Sequence, residues 1–349
     1  MMNSFLIGDR PIGKTHPSYI IAEIGSNHSQ SLSQALDMMI LAAEAGADAV
    51  KFQSIQFDAL YLEKLESSEF REWFRQIELD ESWYPDLANQ AKKLGIDFLS
   101  SPTYASAIDL LEAVHVPAYK IASPQAQGNL EVVAKAAQTG KPLIISMGYC
   151  TYGDLVRVVR LCEEQGNRSL VLLHCVSKYP AQPEDANLRY IQTLSAMTQL
   201  PVGYSDHTLG IHMPLAAIAL GACVIEKHVT LDRQAPGPDH AFAITFPEFK
   251  AMVQAIRAVE AGLGTGTRLS LLPEELTYRK NVELKAIASA PISPQTPLSS
   301  QNIRFLRTSH TGISIDQAPL LMRAIAKTEI EQDSVIKWSM LNLQDEVGA

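Results

Sequence analysis

The sequence predicts an α/β chain folded as a closed (β/α)8 TIM-type barrel with a small second domain after it, and three observations carry that expectation. Eight short apolar segments, each followed by a helical stretch, recur between Tyr19 and Leu263. They are rich in Ile, Val and Ala without polar alternation, as strands covered on both faces require. One connection type repeated eight times favours closure over an open doubly wound sheet, whose phosphate-binding first turn would need more glycine than Gly25 alone. From Gly264 onward the apolar pieces are shorter and separated by Pro, Ser, Thr and Gly.

The first eighteen residues, with Gly8, Pro11, Gly13 and Pro17, read as a lead-in hairpin or irregular segment. Strand Tyr19–Ile24 carries Glu23 and runs into Asn27 and His28; helix Ser31–Ala45 stops at Gly46. Strand Asp48–Phe52 brings Lys51 and Gln53. A charged excursion from Ser54 to about Asp80, containing Trp73, is too long for an ordinary connection and is expected to pack over one rim of the sheet. The following pairs are helix Trp83–Leu94 with strand Ile96–Ser100, helix Ala105–Val114 with strand Ala118–Ala122, and helix Gly128–Thr139 with strand Pro142–Ser146. Helix Gly153–Gln165 leads to strand Leu170–His174, and helix Leu188–Leu200 leads to Val202–Ser205. Helix Gly210–Leu220, strand Ala222–Glu226 and helix Pro247–Leu263 complete the barrel. GLGTG at 262–266 follows a helix, so it reads as a cap and exit rather than a phosphate loop. The expected division is a barrel at 1–264, a charged linker at 265–283 and a compact domain at 284–349.

A net charge of -9 argues against non-specific nucleic-acid binding. No apolar run reaches membrane-spanning length and the start lacks a signal-peptide pattern, so a cytoplasmic protein is expected. Cys150, Cys162, Cys175 and Cys223 form no C-x-x-C pair and read as reduced, mostly buried thiols. His174 and Cys175 are successive strand residues, pointing to opposite faces, and make a poor nucleophile–base pair.

The carboxyl ends of barrel strands converge whatever their separation in sequence. His207 and His228 fall at matching ends of one βαβ unit, which makes them neighbours and candidates for a divalent metal or an acid–base site. Asp206, Glu226, Asp232 and Asp239 could supply oxygens. Lys51 and Lys120 are the clearest anomaly, because a strand lysine must be paired or functional. Three readings stand: an imine-forming nucleophile, an anion clamp, or a structural ion pair with Glu23. The hydroxyls of Ser101, Ser123 and Ser205 favour the clamp.

The pieces IAEIGSNH, AVKFQ, LSSPTY, AYKIAS, LLHCVSKYP, VGYSDHTLG, ALGACVIEKHVTLDRQAPGPDHAFA and NIRFLRTSHTG, in order from residue 20 to about residue 312, resemble the N-acetylneuraminate (sialic acid) synthase family. That family includes the legionaminic and pseudaminic acid synthases and the spore-coat polysaccharide proteins. The resemblance implies a barrel followed by an antifreeze-protein-like SAF domain, in a homodimer where the small domain covers the partner's barrel. It implies that His207 and His228 bind manganese, or cobalt or magnesium, and that Lys51, Ser101, Lys120, Ser123, Ser177 and Ser205 surround phosphoenolpyruvate. Gln53, Tyr179 and Asp239 would face an acylamino sugar, Glu23 would lie beside the reacting centre, and Arg307 would reach the sugar of the other subunit. The chain departs from the family pattern at Gln125, where an acidic residue is usual, at Ser177, and at Thr308 after Arg307.

The implied reaction joins phosphoenolpyruvate to a 2-acylamino aldose, giving a nine-carbon 3-deoxy-2-ulosonic acid and phosphate. N-acetylmannosamine is the first expectation for the sugar, with a 2,4-diacetamido-2,4,6-trideoxyhexose as the alternative. An imine-forming aldolase using Lys51 or Lys120 and a non-catalytic sugar-binding paralogue are the competing classes.

Overall fold

The computed structural model describes residues 5–344. The barrel strands are β1 (Tyr19–Gly25), β2 (Ala49–Ser54), β3 (Asp97–Pro102), β4 (Tyr119–Ile121), β5 (Leu143–Ser146), β6 (Leu170–Cys175), β7 (Val202–Asp206) and β8 (Val224–Thr230). They pair in parallel in the order β3-β2-β1-β8-β7-β6-β5-β4. The two ends of that path, β3 and β4, lie side by side, so the sheet curls into a near-closed barrel. The short segment Ile244–Thr245 adds to the end of β8 in parallel.

Eight helices alternate with the strands: α1 (Leu32–Glu44), α2 (Tyr84–Leu94), α3 (Ala107–Ala113), α4 (Leu130–Gln138), α5 (Tyr152–Glu164), α6 (Tyr190–Thr198), α7 (His212–Ala219) and α8 (Phe246–Leu263). Their starts follow from local chemistry. The Ser31 hydroxyl accepts from the Gln34 N–H at 3.3 Å, and reciprocal capping boxes open α5 (Thr151 with Asp154) and α8 (Thr245 with Glu248). α2 ends at Gly95, whose φ of 70° suits glycine.

Strand parity sorts the side chains into two shells. Ile20, Ala22, Val50, Phe98, Tyr119, Ile145, Leu172, Tyr204 and Ile225 face outward and meet the helices in the main core. Tyr19, Ile21, Ala49, Leu99, Ala118, Ile144, Val171, Leu173 and Val224 face inward, and Ile7 and Ile12 of an antiparallel hairpin (Phe5–Ile7 with Arg10–Ile12) complete that inner cluster. Gly203 faces inward too; a Cβ there would collide with the Val224 carbonyl and the Leu173 side chain. Between β7 and β8 the fully buried Asp206–Lys227 pair, 2.6 Å apart and on register partners, faces outward. Breaking one partner of such a pair leaves a buried charge and costs about 3–5 kcal/mol.

Two expected boundaries shift where the site is built. β8 runs to Thr230, so His228 lies on the strand instead of beyond its end. A short helix, Ser123–Gly128, starts directly after β4 at Ser123-Pro124 and delays α4 to Leu130. The excursion after β2 folds into short helical turns at Phe57–Leu60, Glu63–Leu65, Ser68–Arg75 and Glu81–Trp83.

The described residues up to Gly264 form one compact unit and those from Thr265 onward another. In the second unit, β9 (Leu284–Ala288) pairs antiparallel with β10 (Ile303–Arg307), and β11 (Ala324–Ala326) with β12 (Leu341–Leu343). Its core gathers Ala286, Ile292, Leu298, Ile303, Ile313, Leu321, Ile330 and Ile336, as expected for an SAF-like appendage. The apolar piece Val335–Trp338 contributes Ile336 to that core without being a strand; the last strand comes later, at Leu341. Helix Pro273–Val282 in the linker buries none of its side chains.

Candidate active site

Two cavities mark the barrel's ends. The larger, about 720 Å³, opens at the amino ends of the strands beside Arg10, Asp48, Asp97 and Val116. The other, about 480 Å³, lies at the carboxyl ends and is lined by lysines, carboxylates and histidines. Parity explains its floor. One inward-facing layer near the carboxyl ends of the strands consists of Glu23, Lys51, Ser101, Lys120, Ser146, Cys175, Ser205 and Glu226, and all are buried.

Glu226 and Lys51 organise that layer. Lys51 Nζ stands 3.0 Å from Glu226 and 3.4 Å from Glu23, and donates to Ser101 Oγ at 3.4 Å. Lys120 Nζ lies 3.5 Å from Glu226, and Ser205 Oγ donates to the same carboxylate at 2.8 Å. Gln53 donates to Glu23 at 2.7 Å. Burial opposes the charge on Lys51, yet Glu226 and Glu23 outweigh it and hold its pKa above the ordinary value. Burial pushes Lys120 down to about 8 despite Glu226, with Lys51 adding to the shift. Burial pushes Glu23 up to about 7, only partly offset by Lys51 and reinforced by Glu226. Burial would raise Glu226 as well, but Lys120 and Lys51 win and hold it far below the carboxylate range. The floor therefore presents two ammonium groups, one firmly ionised carboxylate and one carboxyl poised near neutrality.

The histidines sit above it, with ring centroids 5.3 Å apart. His207 Nδ1 donates to the Val176 carbonyl at 2.9 Å, which leaves its Nε2 as the lone-pair nitrogen. Buried His228 Nδ1 has no hydrogen-bond partner among the described residues and lies 3.6 Å from Asp239 Oδ2. Burial lowers the pKa of both rings, so they are neutral nitrogen donors. That donor set fits a divalent ion such as manganese, cobalt or magnesium. Among the described residues no group of three or more His, Cys, Asp or Glu side chains is arranged to hold a metal, so a bound ion would draw its remaining ligands from water and substrate.

Around the rim, Tyr179 packs on His207 at 4.4 Å and is half exposed. Burial raises Asp239 to about 6 against the pull of Lys51. Ser123 Oγ accepts from the Gly148 N–H at 2.8 Å; a Cβ at Gly148 would strike the Ser123 and Ser177 hydroxyls, so glycine lets the backbone line the cavity there. The structure thus gathers Glu23, Lys51, Gln53, Lys120, Ser123, Ser177, Tyr179, Ser205, His207, His228 and Asp239 around one cavity. Ser101 reaches the site through Lys51. Arg307 ends β10 in the second compact unit.

Three oxygen donors considered from sequence take other parts. Asp206 pairs with Lys227 and accepts from the Thr208 N–H, facing away from the cavity. Asp232 accepts from the Gln234 N–H within its own turn. Glu226 bridges lysines instead of joining the histidines, and its central place is the main feature sequence reading missed. Ser146, Cys175, Trp73, Ile77 and Tyr149 also line the cavity. His174 faces outward and bonds the Ala186 carbonyl at 2.6 Å, opposite to Cys175, as parity requires. All four cysteines are free, and Cys150 is only partly buried.

Fold and site together define a (β/α)8-barrel protein with a charged, histidine-bearing cavity at the carboxyl end of its strands. The sequence profile of the NeuB family matches residues 38–268. The N,N'-diacetyllegionaminic acid synthase of Legionella pneumophila is 35% identical over 354 residues, spanning 96% of this chain and 98% of that protein. The N-acetylneuraminate-9-phosphate synthase of Mus musculus is 35% identical over 301 residues, spanning 83% of each. Among solved structures, the spore coat polysaccharide biosynthesis protein SpsE of Bacillus subtilis superposes with a TM-score of 0.68 at 33% identity, covering 98% of this chain and 100% of that one. The chain belongs to the NeuB family. No helix among the described residues is long and apolar enough to cross a membrane.

Proposed function

We propose that the protein condenses phosphoenolpyruvate with a 2,4-diacetamido-2,4,6-trideoxyhexose, giving a nine-carbon 3-deoxy-2-ulosonic acid of the legionaminic type and inorganic phosphate. The observation that carries the reaction is the lysine–glutamate floor beside a neutral histidine pair in one cavity. Lys51 and Lys120 bind the carboxylate and phosphate of phosphoenolpyruvate, with the hydroxyls of Ser123, Ser177 and Ser205 as further donors. A divalent ion held by His207 and His228 would supply Lewis acidity at the sugar aldehyde when bound. C3 of the enol adds to the aldehyde carbon, which leaves positive charge at C2. Ionised Glu23, oriented by Gln53, takes a proton from the water that adds to C2, and the hemiketal phosphate collapses with loss of phosphate. Asp239 and Tyr179 stand where the sugar enters.

Sequence alone ranks N-acetylmannosamine first; two findings support reversing that order. The legionaminic relative aligns over nearly the whole chain, the neuraminate-9-phosphate relative over a smaller part. Gln125, buried, is an uncharged amide where the family usually has an acid, so that position supplies no carboxylate. We assign the chemistry to residues 1–264 of a cytoplasmic homodimer, in which the small domain of each copy covers the other's cavity and Arg307 reaches the sugar bound there.

The test is a parallel determination of kcat/KM for N-acetylmannosamine and for the two 2,4-diacetamido-2,4,6-trideoxyhexoses at fixed phosphoenolpyruvate and manganese. The legionaminic-type trideoxy sugar is expected to lead by at least about tenfold, or ~1.4 kcal/mol in transition-state binding. A lead for N-acetylmannosamine of that size refutes the acceptor assignment.

A further inference from the structure

Outside the charged floor, the cavity wall changes character. The segment between β2 and α2 arches to the mouth and is tied down at its base: Gln30 donates to the Gln76 and Glu78 carbonyls at 3.0 and 2.6 Å, Gln56 to the Leu79 carbonyl at 2.7 Å, and the Phe57 N–H to the Glu78 carboxylate at 2.6 Å. Beyond that base it carries its own aromatic core, with Phe57–Phe74 centroids at 5.6 Å and Tyr61–Phe70 at 5.3 Å. The helix Ser68–Arg75 buries Phe74 in this cluster and holds Trp73 at the cavity. Trp73 stacks on Phe70 at 5.9 Å and 27°, which fixes the indole plane, yet 44% of the residue stays exposed. Ile77 lies beside it on the same wall, and Tyr149, 58% exposed, lines the cavity from the end of β5.

We propose that Trp73 is the specificity-determining residue for the acceptor, packing its indole against the apolar distal end of a deoxygenated, acylated sugar. This rests on the acceptor assignment above. The polar groups of the cavity lie on the floor, at the histidine level and on the rim around Tyr179 and Asp239, whereas Trp73 and Ile77 offer a preformed apolar surface. A 6-methyl group and a 4-acetamido methyl gain by leaving water against such a surface. The hydroxyls that N-acetylmannosamine carries at those carbons would lose hydration there without a partner. Because the segment is stabilised by its own ring cluster, the indole is held in place before the sugar arrives and little ordering is required on binding.

The experiment measures kcat/KM of both sugars, and KM for phosphoenolpyruvate, in the full chain and in its Trp73→Ala and Trp73→Phe variants. Trp73→Ala is expected to lower kcat/KM for the trideoxy sugar about tenfold or more, through KM. N-acetylmannosamine should change less than about threefold, and KM for phosphoenolpyruvate should not move. Trp73→Phe, which keeps a ring against Phe70, should fall between wild type and Trp73→Ala and serves as the test if the alanine variant does not fold. Equal losses for both sugars in both variants, or no loss for either, overturn the role of Trp73. A wild-type preference for N-acetylmannosamine overturns the acceptor assignment instead, and the ratio of the two sugars in the variants still decides whether Trp73 sets it.

Discussion

Lys51→Met is expected to lower kcat/KM for phosphoenolpyruvate by two to three orders of magnitude and to destabilise the fold by about 3–5 kcal/mol, the loss typical of orphaning a buried ion-pair partner. Lys51 touches both Glu226 and Glu23, so removing it strips both carboxylates of their nearest cation. Lys120 is paired with one carboxylate at a longer distance, 3.5 Å to Glu226, besides donating to the Ile121 carbonyl at 3.5 Å, and its charge is already weakened by burial. Lys120→Met should therefore match the loss in activity while costing distinctly less stability. Urea unfolding of the two variants beside steady-state kinetics separates the effects. Equal stability losses would mean that Lys51 is not the hub of the floor.

Glu23→Gln is expected to reduce kcat by about a hundredfold or more, the scale of a lost general base. It should also change the pH profile. With a pKa of about 7, Glu23 is mostly protonated below neutrality, and on the proposed mechanism, in which the ionised form accepts the proton of water, kcat/KM should rise as pH increases through 7. Lys120 near 8 acts as a cation, so activity should fall again as pH rises through that value. The wild-type profile should be a narrow bell, and Glu23→Gln should retain the alkaline limb while losing the acid one. A variant that keeps the acid limb would assign it to another group.

How much of this was legible in sequence follows from strand parity. Lys51 and Lys120 stood out because a barrel strand has no apolar use for a lysine, and the histidine pair followed from one βαβ unit. Glu226 was equally within reach: it lies two residues before His228 on the same strand and so shares its inward face. It was obscured because β8 was expected to end there, and an end position leaves the direction of a side chain open. The same parity places Ser146 and Cys175 inside and sends Asp206 outward to Lys227. What no spacing contains is distance between strands. That Lys51, and not Lys120, lies between two carboxylates depends on β1 sitting between β2 and β8. Likewise the charged composition of the excursion hid an aromatic core, because five rings scattered between Phe57 and Phe74 form a cluster only once the segment folds back on itself.

Phosphate release measured with and without the sugar tests most directly whether one cavity joins phosphoenolpyruvate to an acylamino sugar. With manganese present, phosphate should appear only when the trideoxy sugar is added, in step with a product whose mass is that of the nine-carbon acid. Chelation should stop it and added manganese restore it, because in the proposed site only two histidines would hold the ion, which makes it exchangeable. Phosphate released at the same rate without any sugar, or full turnover after exhaustive chelation, would contradict a metal-assisted condensation in this cavity.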